Sequence, residues 1–151
     1  MAQTPAKEYS SDGAIDYTPS GAVTGGDVVV LNGIVGIAPK DIAANVKGAL
    51  LTEGVFKLPK TTAAWVRGLP VHWDPAGTPD YGDASSGAAN QLGVGTYAGM
   101  CVEAAGIGDN FGAVHLNAPT NLMAVNSVTA AGSVIGDAAQ LSQGLNLVTG
   151  A

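Results

Sequence analysis

Basic residues stop at Arg67. The 84 residues beyond it carry no lysine or arginine but six acids: Asp74, Asp80, Asp83, Glu103, Asp109 and Asp137. Up to Arg67 the signs balance, with Lys7, Lys40, Lys47, Lys57, Lys60 and Arg67 against Glu8, Asp12, Asp16, Asp27, Asp41 and Glu53. The whole formal net charge of −6 therefore belongs to the C-terminal part of the chain. Phosphate backbones are held by clustered Lys and Arg, so direct binding to nucleic acid is not expected. Cysteine is nearly absent too. Cys101 stands alone, which rules out an intrachain disulfide and implies no oxidising compartment. No run approaches the ~18 apolar residues of a membrane helix, so no membrane partner is expected. The opening MAQTPAKEYSSDG lacks the apolar centre of a secretory signal, and the product reads as soluble and made in the cytoplasm. Charge of either sign is also scarce, at 12% of residues against 46% apolar, and a surface so poor in charge suits extensive contact with other polypeptides.

What is present reads as strands and turns. The 22 glycines and eight prolines punctuate short apolar runs, and no long amphipathic helical pattern lies between them. The composition is too apolar for a disordered chain. The stretch Gly54–Asp74, GVFKLPKTTAAWVRGLPVHWD, holds both tryptophans and one of the two phenylalanines. There Val55–Leu58 reads as a strand stopped by Pro59. Thr61 or Thr62 can cap a helical turn over residues 63–67 that Gly68 ends, and Leu69–Trp73 is a second extended run. A single turn of helix does not stand alone in water, so Trp65 must fold back onto these strands.

The strongest local signal is a hairpin. Asp27–Leu31 and Ile34–Ala38 flank Asn32-Gly33, and Asn-Gly supplies the two positive φ angles of a type I′ turn. Before it, Ala14–Thr18 alternates as a strand should, with Ile15 and Tyr17 opposite Asp16. After it, Pro39–Lys47 is a connector with room for one helical turn capped by Asp41, and Ala49–Thr52 leads through Gly54 into the Phe56 strand. Residues 75–91 are dense in Gly, Pro, Asp and Ser and read as a long surface loop. Residues 92–104 return to extended structure, most clearly over 99–103. Gly106–Asp109 is a turn, and Phe111–Leu116 closes the set.

The expected fold is mainly β, a small β-barrel or β-sandwich with a short helical turn. An N-terminal arm (1–13) precedes the β-rich domain (14–117), and a C-terminal extension (118–151) follows it. The expected core is Val29, Val35, Phe56, Leu58, Trp65, Val71, Trp73, Val102 and Val114. If the Phe56 ring is central, its removal costs about 3–5 kcal/mol. The extension has one charge, Asp137, and no aromatics, yet many aliphatics. It cannot build a core of its own and should pack on a partner or on the domain. Its Asp137–Gln140 resembles a capping box, and Gly144 offers a stop, which places a short helix at 138–143. The expected protein-contact positions are Ile15, Tyr17, Leu122, Met123, Val125, Val128, Leu141, Leu145, Leu147 and Val148.

Chemistry is hard to find. His72, Cys101 and His115 lack paired metal-ligand spacing, so no metal site is expected. Cys101 lies between Met100 and Val102, which favours an inert thiol over a nucleophile activated by His115. Gly93–Gly99 nearly mimics a dinucleotide fingerprint, but its last glycine is one place late and no helix follows. Asp74, Asp80 and Asp83 share a glycine-rich loop and read as a solvated acidic surface rather than a cation site. No catalytic set and no cofactor are expected. Trp65 and Trp73 would serve as a sugar-stacking platform only if exposed, which keeps a carbohydrate- or host-surface-binding module as the alternative function.

Several segments taken together resemble a family. Gly26–Val30, Gly33–Ala38, Glu53–Lys60 (EGVFKLPK), Trp65, Gly68 and Pro70–Asp74 (PVHWD) are similar in order to the small phage capsid cement, or head decoration, proteins. The Gly99–Glu103 strand, the Gly106–Asp109 turn and the ending Val114–Asn117 fit the same pattern, so the resemblance covers about residues 14–117. It implies a β-rich, non-enzymatic protein, usually a homotrimer, on the outer surface of a tailed-phage virion. There it would bind the major capsid protein and clamp neighbouring copies after the shell expands.

Overall fold

A computed structural model describes residues 13–120. Nine strands and no helix occur among these residues: β1 Ala14–Tyr17, β2 Val28–Leu31, β3 Ile34–Ile37, β4 Gly48–Leu51, β5 Val55–Pro59, β6 Pro70–Asp74, β7 Ala88–Asn90, β8 Thr96–Cys101 and β9 Phe111–Leu116. They form two antiparallel sheets. The first has the order β1-β4-β3-β2 and the second β5-β9-β8-β6-β7. The hairpin is present as β2 and β3, with Leu31 opposite Ile34 across Asn32 (φ 48°) and Gly33 (φ 106°).

Side-chain alternation explains the core. In β6, Val71 and Trp73 point inward, and in β5 Leu58 does. They meet Val35 and Ile37 of β3 together with Trp65, Ala98, Cys101, Val114 and Leu116 in one cluster. Val28 and Val30 pack against this cluster, whereas their neighbours Val29 and Leu31 pack against a second one. That second cluster is Ala38, Ile42 and Leu50, joined by Ile15, Tyr17 and Val23. The first sheet is thus apolar on both faces. One large cluster lies on one side and one small, loop-covered cluster on the other.

Four expectations are corrected. The fold is two sheets rather than a closed barrel; the edges of the second sheet meet only at a parallel bridge between Lys60 and Ala89. Residues 63–67 form no helical turn. Alternation along β5 carries Lys60 to the inner side, fully buried, where its Nζ donates to the Thr61 (3.0 Å) and Ala63 (2.9 Å) carbonyls. Trp65 instead exchanges both backbone bonds with Ala105 in an antiparallel bridge, so a helical hydrogen-bond pattern has no place there. The 39–47 connector makes a bridge at Ile42 and a turn rather than a helical turn. Within the supposed 75–91 loop, Ala88–Asn90 is a buried strand, hidden in the sequence because alanines carry no strand signal.

Two side chains replace missing ladder bonds. Asn117 (φ 49°) ends β9; its Oδ1 accepts from Val35 N–H (3.2 Å) while its Nδ2 donates to the carbonyls of Val35 (2.7 Å) and Thr52 (2.8 Å). One residue thereby ties the second sheet to β3 and to the end of β4. Gln91 does the same on a smaller scale, exchanging two side-chain bonds with the backbone of Val66. Gly112 is required by contact: a Cβ there would lie 2.0 Å from the Trp65 ring.

Candidate functional site

The residues that could carry chemistry are held apart. Cys101 pairs with Val114 and points inward, whereas Met100 and the exposed His115 pair one step along and face the other way. Burial pushes the Cys101 thiol above its ordinary value, against a smaller downward pull from the Glu103 backbone, and the thiol donates to the Glu103 carbonyl at 3.0 Å. A thiol held protonated is a poor nucleophile. His72 meets only Tyr97 edge-on, with ring centroids 5.8 Å apart. Tyr97 in turn donates its hydroxyl to the Ala118 carbonyl, and burial raises its pKa. Asp74 serves a local turn, accepting from Ala76 N–H, and Asp80 accepts from the Thr62 hydroxyl, 18 residues earlier in the chain. Among the described residues no three His, Cys, Asp or Glu side chains are grouped to hold a metal ion.

A hollow of about 440 Å³ beside β9 is lined by Lys57, Glu103, Asp109, Asn110 and Phe111 among glycines and alanines, with no histidine, cysteine or serine among its described lining residues. Asp109 is already engaged, accepting from Gly106 N–H at 2.6 Å. Both tryptophans are inside, Trp65 at 2% and Trp73 at 5% exposure, so neither offers a face for a sugar to stack on. Leu58, Val71, Val35 and Val114 are buried with them; Phe56 is half-buried against the same cluster, Val29 is half-buried against the smaller one, and Val102 is half-buried outside both.

The surface that can act is the backbone of the first sheet. Asp27 accepts from Ala38 N–H, and antiparallel ladders alternate between bonded and non-bonded pairs. Val29 and Leu31 therefore bond to β3, while Val28 and Val30 turn their N–H and C=O groups away from it, at an edge that no described strand covers. On the opposite edge, Gly13 accepts from Thr52 N–H, so Ile15 and Tyr17 bond to β4 and Ala14 and Asp16 face outward. The two edges differ in protection. Beside β1, Asp16 is paired with Lys47 at 2.6 Å, and charge on an edge discourages adventitious pairing. Along Val28–Leu31 there is no charge, and all four side chains are partly exposed although each packs on a cluster.

Of the expected contact positions, Ile15 and Tyr17 sit on β1, half-buried against the smaller cluster. Leu122, Met123, Val125, Val128, Leu141, Leu145, Leu147 and Val148, with the helix expected at 138–143, lie outside the described residues. Sequence reasoning missed Asn117, Lys60 and the uncharged β2 edge. Only the last had a visible signal, since a strand of Val-Val-Val-Leu without charge or proline is what natural edges avoid unless something covers them.

Comparison with known proteins gives one result. A family model described as phage cement protein matches residues 9–116. No curated protein matches the chain, and no solved structure does.

Proposed function

The chain belongs to the phage cement protein family, and we propose that it binds the outer surface of an expanded tailed-phage head and clamps neighbouring major capsid proteins there. The family match carries this reading. A structural role on a phage capsid agrees with a site that offers backbone edges and no assembled reactive groups. The low charge of the chain favours broad protein contact, and strands added at a sheet edge gain main-chain hydrogen bonds without a pocket. Ile15 and Tyr17 on β1 and the apolar positions after Asn121 are the contact positions of this reading. We take the working unit to be a homotrimer, in which several arms raise avidity through effective concentration. A protein that binds only the expanded shell stabilises it by mass action.

The test is binding of the full chain to expanded and unexpanded heads. Preferential retention on expanded heads, with a rise in their disruption temperature, supports the proposal; equal or absent binding overturns it. Removal of residues 1–12 or 121–151 should then weaken retention. These cuts spare β1 and Asn117, so the described fold keeps its own contacts.

A further inference from the structure

The β2 edge borders a groove of about 680 Å³, lined on one side by Gly26–Val30 and on the other by Pro59, Trp73, Pro75 and Ser86. Asp27 is the one charged side chain among the lining residues. The second wall matters for the occupant. An incoming sheet edge would bring its own second layer against Pro59 and Pro75, whereas a single extended segment needs only the width of one strand, roughly 5 Å. The groove therefore suits a lone, uncharged strand whose apolar side chains alternate. The ends of this chain differ in that respect. Residues 1–12 carry Lys7, Glu8 and Asp12 and show no period-two run. The C-terminal segment contains Leu145-Asn146-Leu147-Val148-Thr149, uncharged, with Leu145 and Leu147 two apart, so that an extended chain would put both on one face.

We propose that the open edge of β2 receives residues Leu145–Thr149 of a neighbouring copy, added as a fifth strand to the first sheet. The N–H and C=O groups of Val28 and Val30 supply the hydrogen bonds that fix it, and Leu145 and Leu147 face the wall at Trp73. The 24 residues between Thr120 and Leu145 can span up to roughly 80 Å when extended, enough to cross to a second subunit. The inference rests on reading the chain as working in several copies, and it gives each copy one donor strand and one receiving edge. That is a head-to-tail arrangement, which closes into a ring where the rotation allows.

Two full-length variants separate donor from receiver. Val30→Pro removes an outward N–H without touching the β3 ladder, since Val30 is not bonded there, and proline is tolerated on the solvent side of an edge. Leu147→Asp spoils the donor and leaves the edge intact. Amide exchange at Val28 is the common readout, with Val114 in the core as the folding control. In the assembled protein Val28 should exchange ~100-fold more slowly than an unprotected amide. Each variant alone should lose that protection while Val114 keeps its own. Mixing the two variants should restore it in the Leu147→Asp chains, whose edge then receives the intact strand of the other. Rapid exchange at Val28 in the assembled protein overturns the proposal. So does protection that survives Leu147→Asp, which would mean another strand occupies the edge, or a mixture that restores nothing. Should Val30→Pro lose Val114 protection as well, Val30→Lys serves as the receiver variant on the same readout. Retention on expanded heads, measured in parallel for the full chain, reports on the cement role separately.

Discussion

In the five-stranded sheet the edges converge at Lys60 and Ala89, and both tryptophans of the chain fill the space beneath β6 and β9. Among the described residues the four-stranded sheet ends at β1 and β2 with no further strand beside either, and it has a smaller cluster on its outer face and no aromatic larger than Tyr17. The four-stranded sheet also leaves the main-chain N–H and C=O groups of Val28 and Val30 pointing away from every described strand. The contrast predicts that stability rests mainly on the five-stranded sheet, whereas the proposed function would use an edge of the other; Asn117 ties the two.

The largest test of that division is Trp65→Ala. Trp65 is buried against Gly112 and bridged to Ala105, so its loss should cost about 3–5 kcal/mol in denaturant unfolding. A loss below about 1 kcal/mol, by contrast with the usual core-truncation range, would remove the distinction between the sheets. Next is Asn117→Ala. It strands the Val35 N–H and two carbonyls and should cost about 2–3 kcal/mol. Amide exchange should show β3 and β4 loosening before β8 and β9; uniform loosening would mean the sheets are joined elsewhere. Phe56→Ala comes third. The ring is half-buried rather than central, so about 1–2 kcal/mol is expected, less than its sequence position suggested. A cost equal to that of Trp65 would relocate the core toward β5.

The smallest effect is alkaline. Burial raises the folded pKa of Tyr97 above 10.0 and of Cys101 above 9.0. The unfolded chain therefore ionises first and binds fewer protons, so stability is full below those values and declines as pH rises past them. Melting temperature should fall slightly from about pH 9 upward, and Tyr97→Phe should flatten the upper part of that decline. A profile unchanged by the substitution would remove Tyr97 as a source of the sensitivity and leave Cys101 to account for it.

Much of this was legible in the residues. The Asn32-Gly33 hairpin, the β5, β6 and β9 strands and the inward Trp65 all follow from turn chemistry, period two and the isolation of aromatic mass. The failures have physical causes. Residues 61–67 look helical because threonine, alanine and glycine sit where a cap, a turn and a stop belong. The deciding groups are the Lys60 amine and the Ala105 backbone, and no local window contains the latter. β7 is two alanines and an asparagine whose strand character comes entirely from lying beside β6. At the candidate site, the absence of charge along Val28–Leu31 was in plain view, but which N–H groups face outward depends on register, and register appears only once β3 is paired.

Asn117 also determines how the fold meets mechanical load. Tension applied to the chain beyond Thr120 meets Ala118, whose carbonyl accepts from the Tyr97 hydroxyl, and then Asn117, where side-chain bonds to Val35 and Thr52 and a backbone bond to Ala98 act together. A tug is thus shared among three strands at once instead of unzipping β9 one rung at a time. For a phage cement protein, that spreads an external pull over several strands before any of them yields.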